Sequence, residues 1–510
     1  MSMEDATGTQ AGTLRFWVTL LSGEKVALTA EPSDTLRQLR DSAQRALGRP
    51  LLGFAPSSSP SEVPLPLDAT LAELGLPQDT ILAALVGRLR VQSTRFAFAA
   101  CQGDGSVVAW GSPFAGGDTA EVEPELRDVQ EVAANLMAFA AVKVDGSVVA
   151  WGHQSCGGQL DEALQDQLSC NGGVRRLVTT DRAFAALKRD GSVLCWGCLY
   201  PSAVAPELCG RKISSVYSTR SAFAAVDTAG AVLSWGHSAC GGECSMVAER
   251  LQGGVTRVYS TDSAFAALKK DGSVVTWGSI TAGGDSDTVS ARLQTVQKIA
   301  ATETAFAAIC GDRSVVTWGD AMGGGSLQVP LHAVADLCAT ASAFAALHED
   351  GCVSMWGNEL SGGHCLEPSQ LHSIARLFAT SDAFAALRAD GTVVTWGDPS
   401  AGGQSDPVQH QLHNVQEIFA TKAAFAALRS DGSVIAWGSP MYGGNSSRVQ
   451  HQLTEGVARV YAAECAFAAV RVDGSLVTWG YPRYGGCCEA VRHQLVAETL
   501  RAACECQTPR

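Results

Sequence analysis

A tandem repeat dominates this chain and limits the folds that it can adopt. The tetrad Ala-Phe-Ala-Ala occurs ten times, and a Trp-Gly pair follows each of these phenylalanines by twelve residues. Consecutive repeats are 38 to 45 residues apart, so the variation in length lies outside the Phe-to-Trp segment. A constant segment joined by linkers of variable length indicates one repeated structural unit.

The phenylalanines and tryptophans of the repeat are the candidate core residues. Twenty large aromatic side chains at fixed positions can bury much apolar surface, so a core role is favoured over ligand stacking. They are Phe98, Trp110, Phe139, Trp151, Phe184, Trp196, Phe223, Trp235, Phe265, Trp277, Phe306, Trp318, Phe344, Trp356, Phe384, Trp396, Phe425, Trp437, Phe467 and Trp479.

Each Phe-to-Trp segment is predicted to form a β-hairpin. In the fifth unit the strands 264–268 and 273–277 flank Asp271-Gly272, and glycine readily adopts the positive φ that a tight hairpin turn requires. Eight of the ten units keep Asp-Gly at this place. The sixth has Asp312-Arg313, where a positive φ is unfavourable, so we expect a reshaped turn there.

A third strand is predicted before each hairpin, as at residues 257–261 in the fifth unit. The strands are apolar on both faces, which is typical of sheets that are covered on both sides. Three short strands per unit of 38 to 45 residues predict the blades of a β-propeller. We predict a single ring of ten blades. Seven blades with three extra units, or an open spiral, are the alternatives.

The first ninety residues contain no repeat and are predicted to form a separate β-grasp domain. Its elements are strands at 14–18 and 26–29, a helix at 35–47, a short helix at 70–74 and a last strand at 80–86. The fold class is therefore mainly β. The predicted organisation is a disordered tail (1–12), the β-grasp domain (13–87), the propeller (88–495) and a C-terminal tail (496–510).

Both parts of the chain resemble known families. The pattern Ala-Phe-Ala-Ala-Leu-x-x-Asp-Gly-x-Val-x-x-Trp-Gly resembles the repeats of the regulator of chromosome condensation superfamily, and the short units resemble its β-lactamase-inhibitor protein II branch. Two features differ from that family: Gly-Gly replaces the usual glycine-glutamine-leucine-glycine stretch, and ten units replace the usual seven. Residues 19–23, 30–35 and 80–85 resemble ubiquitin, which implies a ubiquitin-like domain at 13–87.

The resemblance to ubiquitin implies one candidate partner-binding patch. The apolar surface through which ubiquitin is usually recognised maps onto Leu21, Gly53 and Ala84. Leu21 keeps the apolar character of that surface, whereas Gly53 and Ala84 make it smaller. The chain continues after residue 87 without a free diglycine tail, so we do not expect this domain to be conjugated to other proteins.

The sequence indicates no catalytic, cofactor-binding or metal-binding site. It has no P-loop, no serine-centred nucleophile elbow and no zinc-protease histidine pair. Cys195-x-x-Cys198 lacks the second pair that a zinc site needs, and His153-x-x-Cys156 and His237-x-x-Cys240 fall in units that are not neighbours. We interpret the seventeen cysteines as free thiols.

Charge and hydropathy restrict the partners and the location. A net charge of −14 argues against a nucleic-acid-binding surface, which requires clustered Lys and Arg. No apolar run is long enough to cross a bilayer, and the N-terminus does not look like a secretion signal. We therefore expect a protein without membrane contact, located in the cytoplasm, with the nucleus as the alternative.

These observations together predict a non-catalytic scaffold for protein–protein interactions, with no cofactor. Its propeller would bind partner proteins, and its ubiquitin-like domain would link them to receptors of the ubiquitin pathway. The resemblance to the repeat family also implies two alternatives: a guanine-nucleotide exchange factor for a small GTPase, or an accessory subunit of a ubiquitin ligase. Relatives with a HECT lobe are ligases, but fifteen residues follow residue 495, so we expect no such lobe here.

Overall fold

The structure is mainly β, with one four-stranded sheet followed by ten three-stranded sheets. This computed structural model describes residues 13–20, 25–47, 51–56, 65–86, 90–198, 208, 210–365, 367–473 and 475–489. The predicted tails at 1–12 and 496–510 lie outside the described residues, and so does Leu21 of the predicted patch.

The N-terminal unit combines its sheet with one helix. Its elements are β1 (Leu14–Thr19), β2 (Lys25–Ala30), α1 (Leu36–Leu47), β3 (Leu51–Pro56) and β4 (Thr80–Val86). The strand order is β2-β1-β4-β3, with β1 parallel to β4 and antiparallel to β2. Because apolar residues recur on one side of α1, this side packs against the sheet and forms the core of the unit.

Two details of this unit differ from the sequence prediction. Strand β3 was not predicted, because its residues show no alternation between apolar and polar side chains. Both Leu51 and Phe54 of β3 are fully buried in the core. The segment 70–74, predicted as a short helix, is a turn in which the Leu74 amide donates to the Thr70 carbonyl at 3.1 Å.

The ten three-stranded sheets follow one another along the chain, and every sheet is built from consecutive strands. The first five are β5–β7 (Arg90–Ser93, Ala97–Cys101, Val107–Gly111), β8–β10 (Val129–Ala134, Ala138–Lys143, Val148–Gly152), β11–β13 (Val174–Thr179, Ala183–Lys188, Val193–Gly197), β14–β16 (Ile213–Ser218, Ala222–Asp227, Val232–Gly236) and β17–β19 (Val255–Ser260, Ala264–Lys269, Val274–Gly278).

The other five sheets are β20–β22 (Val296–Ala301, Ala305–Cys310, Val315–Gly319), β23–β25 (Val334–Ala339, Ala343–His348, Val353–Gly357), β26–β28 (Ile374–Ala379, Ala383–Arg388, Val393–Gly397), β29–β31 (Val415–Ala420, Ala424–Arg429, Val434–Gly438) and β32–β34 (Val457–Ala462, Ala466–Arg471, Leu476–Gly480). A second helix, α2 (Glu162–Ser169), follows the second sheet, and the Asp161 carboxylate caps it by accepting from the Leu164 amide at 2.7 Å.

Every sheet has two distinct ends. At one end, the hairpin end, the tight turn, which is Asp-Gly in eight of the ten units, joins the second and third strands. At the other, the exit end, the first strand turns into the second and the third strand leaves the sheet. In the fifth sheet Phe265 pairs with Ser260 on one side and with Trp277 on the other, which places the aromatic pair at the exit end.

The turn of the sixth hairpin keeps the geometry of the others, so the expected reshaping is wrong. Arg313 adopts a φ of +63°, and its amide donates to the Cys310 carbonyl at 3.0 Å. The glycine amide of the fifth hairpin makes the equivalent bond, from Gly272 to Lys269, at the same distance. The Asp312 carboxylate accepts from the Ser314 amide at 2.9 Å, and this bond helps to hold the turn despite the backbone strain at Arg313.

Aromatic pairs and alanines form the contacts between neighbouring sheets. In each sheet the repeat phenylalanine stacks on its tryptophan, with ring centroids 5.1 to 5.4 Å apart. Phe139 and Trp151 of the second sheet pack against Ala97 and Ala99 of the first. The small alanines let each sheet approach the aromatic pair of the next one closely.

The first sheet also contacts the tenth. Phe98 and Trp110 of the first sheet share one buried cluster with Ala466, Ala468 and Leu476 of the tenth. These are the same positions of the repeat that meet between the first and second sheets, so the two ends of the array use the ordinary contact between neighbours.

Candidate partner-binding surfaces

A short helical turn follows the Trp-Gly pair of nine sheets, and we call these segments the rim turns. They are Pro113–Ala115, Gln154–Cys156, Ser238–Cys240, Ile280–Ala282, Ala321–Gly325, Glu359–Ser361, Pro399–Ala401, Pro440–Tyr442 and Pro482–Tyr484. They all lie at the exit end, because the third strand of each sheet leaves there. The corresponding segment of the third unit is outside the part of the chain that the structure describes.

Local hydrogen bonds hold each rim turn in place. In the eighth unit the Asp398 carboxylate accepts from the Ser400 amide at 2.7 Å, and Gly402 ends the turn with a φ of +97°. The Thr380 hydroxyl donates to the Ala401 carbonyl at 3.1 Å and accepts from the Ala383 amide at 3.0 Å. The equivalent hydrogen bond, from a side chain to the backbone carbonyl 21 positions later, is donated by Thr94, Asn135, Thr219, Thr261, Thr302, Thr340 and Thr421.

The repeat tryptophans tie each rim turn to the adjacent sheet. Nine indole N–H groups donate to the carbonyl of a glycine at the end of a rim turn in the preceding unit, at 2.9 to 3.1 Å. These tryptophans are 110, 151, 196, 277, 318, 356, 396, 437 and 479. Trp235 follows the unit without a Gly-Gly pair. Among the described residues its indole nitrogen has no hydrogen-bond acceptor.

Five rim turns carry a large apolar side chain that faces solvent. Phe114, Ile280, Met322, Leu360 and Met441 are 60 to 79% exposed. Exposed apolar residues that recur on the same turn of the repeat, on a backbone held by hydrogen bonds, are typical of a protein-binding surface. The sequence analysis did not single them out, although each lies three or four residues after a repeat tryptophan in an otherwise polar turn.

A cavity of about 1110 Å³ opens where the first strands of the sheets end. All ten units line it, through residues 93–95, 134–136, 179–181, 218–220, 260–262, 301–303, 340–341, 381, 420–422 and 463–464. Nine backbone hydrogen bonds of 2.8 to 3.1 Å run around it, each from the amide of one unit to the carbonyl of the same position in the next. They begin at the Arg95 amide and end at the Glu464 carbonyl.

The charged side chains at this cavity are mostly paired. Arg95 and Glu464, from the first and tenth units, form an ion pair at 3.1 Å between Nε and Oε2. Lys422 Nζ lies 3.6 Å from Glu464, and Arg220 bridges two neighbouring aspartates. Burial, together with the adjacent Asp262 carboxylate, raises the pKa of Glu303.

Two of the three residues predicted for the patch on the N-terminal unit are not on its surface. Gly53 and Ala84 are both buried, and the Ala84 side chain belongs to the core that α1 covers. Successive side chains of a strand point to opposite faces, and the Ala84 side chain lies on the face of β4 that packs into this core. The exposed face carries Ile81, which is 39% exposed, and Trp17, whose ring lies 4.4 Å from Lys25 Nζ.

The described residues offer little to reaction chemistry. No group of three or more His, Cys, Asp or Glu side chains among them could hold a metal ion. Burial raises the pKa of Cys101, Cys195 and Cys338 to about 12, so these thiols stay protonated and unreactive near neutral pH. No helix in the described ranges combines the length and the apolar character that crossing a bilayer requires.

Comparison with known proteins gives similarities in structure only. No family model and no curated protein matches this chain. Prp20p from Saccharomyces cerevisiae, reported together with its binding properties to Gsp1p and histones, is 17% identical over 53% of this chain and 82% of its own, with a TM-score of 0.32.

Two further structures give similar values. Yeast RCC1 (Prp20) bound to Kap60 is 14% identical over 61% of this chain and 80% of its own, with a TM-score of 0.32. The computationally designed Ika8 protein is 17% identical over 61% of this chain and 96% of its own, with a TM-score of 0.29. Similarities at this level carry no argument about what this chain binds.

Proposed function

We propose that this protein is a non-catalytic scaffold that binds partner proteins through the rim turns. The observation that carries the proposal is the set of five exposed apolar side chains on the rim turns, four of them at the second position of the turn and Ile280 at the first. A partner that covers several of them gains affinity from buried apolar area and loses little entropy, because hydrogen bonds already order the turns.

We further propose that the ten sheets form a closed ten-bladed β-propeller. Three observations support closure: the shared core of the first and tenth sheets, the Arg95–Glu464 ion pair, and a cavity that all ten units line. Closure would arrange the rim turns in a circle around the mouth of the cavity, so one partner could reach several of them at once.

The N-terminal unit is proposed to be a ubiquitin-like β-grasp domain that links a bound partner to ubiquitin-pathway machinery. Its strand order and the parallel pairing of β1 with β4 around a single helix support the fold. The link to the ubiquitin pathway rests on the sequence resemblance alone. Localisation in the cytoplasm also stays a prediction from sequence.

The experiment compares affinity capture by the intact protein and by a variant with Ile280→Ser, Met322→Ser and Leu360→Ser. Val472→Ser is the matched control, because Val472 is 78% exposed at the hairpin end of the tenth sheet. We expect proteins captured by the intact chain to be lost from the triple variant and kept by the control. Equal capture by all three proteins would refute binding through the rim turns.

A second measurement tests the non-catalytic character. Nucleotide release from a panel of purified small GTPases should be the same with and without the protein. Accelerated release from any member of the panel would identify an exchange factor instead. Capture by the intact chain that recovers partner proteins but no ubiquitin-pathway component would contradict the linking role of the N-terminal unit.

A further inference from the structure

Two arginines of helix α1 meet one aspartate of the repeat array. Arg37 Nη2 lies 2.6 Å from Asp128 Oδ2, and Arg40 Nη1 lies 2.7 Å from Asp128 Oδ1. Arg37 also contacts Asp68, and Arg40 contacts Asp41, so carboxylates of the N-terminal unit orient both guanidinium groups. The contact joins residues about ninety positions apart and connects the two parts of the chain.

The contact is largely shielded from solvent. Asp128 is 8% exposed and Arg40 is 7% exposed. Burial alone would raise the pKa of Asp128, but hydrogen bonds from Arg37 and Arg40 outweigh that effect and lower the pKa. The carboxylate is therefore ionised at neutral pH and paired with two cations in a site of low dielectric, where charge pairing is strong.

The aspartate is specific to the second unit. Asp128 directly precedes the first strand of its sheet. The residues that do so in the later sheets are Gly173, Lys212, Gly254, Thr295, Ala333, Ser373, Asn414 and Gly456. No other carboxylate occupies this place, so the general architecture of the repeat does not require one. The backbone of Asp128 has a φ of +57°, a region in which aspartate is tolerated better than most residues.

An apolar contact accompanies the ion pairs. Gly105, in the hairpin turn of the first sheet, has no side chain, and a Cβ atom there would lie 3.0 Å from Leu52 Cδ1 of β3. The same Cβ atom would lie 2.9 Å from the Asp128 Cα atom. The N-terminal unit therefore sits on the hairpin end of the first two sheets, away from the rim turns.

We propose that Arg37, Arg40 and Asp128 form an electrostatic latch that holds the N-terminal unit on the hairpin end of the array and can release it. In the latched state the array covers the arginine face of α1. The outer face of the sheet, which carries Trp17, lies on the opposite side and remains accessible. An acidic protein surface that pairs with the two arginines must compete with Asp128, so binding such a partner is coupled to release.

The latch is tested on the full chain by small-angle X-ray scattering and amide hydrogen exchange in low salt. Asp128→Asn should increase the radius of gyration and speed exchange in the hairpin turn 102–106 by about tenfold, because a buried pair has lost its charge. Asp145→Asn is the matched control, since Asp145 lies in the exposed hairpin turn of the same sheet. It should leave both measurements unchanged.

Swapping the charges of Arg37 and Asp128 distinguishes a specific electrostatic latch from a general loss of stability. The double variant Arg37→Asp with Asp128→Arg should restore slow exchange in the hairpin turn, whereas Asp128→Arg alone should not. Raising NaCl to about 1 M, where the screening length is roughly 3 Å, should partly open the wild-type contact. Exchange and radius of gyration that are the same in wild type and Asp128→Asn would overturn the proposal. So would a double variant that behaves like Asp128→Arg.

Discussion

The indole N–H of Trp110 donates a hydrogen bond to the carbonyl oxygen of Gly485 at 3.1 Å, across 375 positions of the chain. Each of the other eight such bonds joins two consecutive units. The bond between Trp110 and Gly485 joins the first unit to the last. It therefore supplies a direct contact between the two ends of the array, which supports the closed propeller proposed above.

Replacing Trp110 should weaken the contact between the first and the last unit. Trp110→Phe keeps an aromatic ring but leaves a buried carbonyl without its donor, which costs about 1–3 kcal/mol. Trp235→Phe is the control, because the Trp235 indole has no carbonyl acceptor among the described residues. Urea unfolding should show a larger loss of stability for Trp110→Phe. Equal losses of stability in the two variants would mean that the indole hydrogen bond adds nothing to the packing of the aromatic side chain.

A side chain at the end of a rim turn should be strongly destabilising. A Cβ atom at Gly402 would lie 2.7 Å from Phe425 Cδ2, and its φ of +97° is already strained for alanine. We expect Gly402→Ala to cost about 2–4 kcal/mol, as the sum of steric overlap and backbone strain. Gly210→Ala isolates the strain, because Gly210 has a φ of +82° with nothing within 4 Å, and should cost about 1 kcal/mol. Thermal or urea unfolding measures both.

The threonine that holds seven of the nine rim turns should contribute through hydrogen bonds more than through volume. Thr302 donates to the Gly323 carbonyl at 3.0 Å and accepts from the Ala305 amide at 2.9 Å. Thr302→Val keeps the shape and removes both bonds, so we expect a loss of about 1–3 kcal/mol in the free energy of unfolding. Thr302→Ser should retain most of the stability. A smaller loss for Val than for Ser would contradict this account.

The sixth hairpin offers a stabilising substitution. Arg313 adopts a φ of +63°, which costs a non-glycine residue about 1 kcal/mol. Arg313→Gly removes that strain. Because glycine has more conformational entropy in the unfolded chain, part of this gain is offset, and we expect the free energy of unfolding to rise by up to about 0.5 kcal/mol. Arg313→Ala keeps the strain and should bring no gain. The urea midpoints of the two variants give the comparison.

Acid should destabilise the array through its hairpin turns. Hydrogen bonds from Ser273 lower the pKa of Asp271, and the same type of bond lowers the pKa of Asp190, Asp312, Asp350, Asp390, Asp431 and Asp473. A lowered folded-state pKa gives stability that is complete above the unfolded pKa of about 4 and is lost as the pH falls through the folded value.

The urea midpoint should therefore fall between about pH 5 and pH 2. The triple variant Asp271→Asn, Asp390→Asn, Asp431→Asn should show a shallower pH dependence, because three of the titrating groups are gone. A pH dependence that is identical in the triple variant and in the wild type would show that these turns do not drive acid destabilisation.

Local features of the fold were predictable from sequence because their causes are local. The spacing from Phe265 to Trp277 with a glycine between them determines a two-stranded hairpin, and the structure has strands at 264–269 and 274–278. Strand β3 could not be predicted, because it carries no periodic pattern and forms only against β4. The geometry at Arg313 could not be predicted either, since the neighbouring strands impose the turn on that residue.

Candidate surfaces were harder to predict, because they depend on which side chains remain uncovered after folding. Ala84 looked like part of an exposed patch by alignment with ubiquitin, and a shift of one residue along a strand is enough to bury it. The contact of Arg40 with Asp128 depends on how two separate units meet, and nothing local to either residue signals it. Met322 and its equivalents stand out only once their shared place on the rim turns is known.

Each three-stranded sheet is complete within its own stretch of chain, and among the described residues the tryptophan-to-glycine bond joins like positions at nine junctions, with Trp235 as the exception. Whole units are therefore interchangeable parts. In the closed propeller proposed above, duplicating or deleting one regular unit in the gene would leave the remaining tryptophan-to-glycine junctions chemically the same, and would change the circumference of the ring and the width of its opening. The number of units can therefore evolve in steps of one repeat, while the exposed apolar residues on the rim turns are free to diversify.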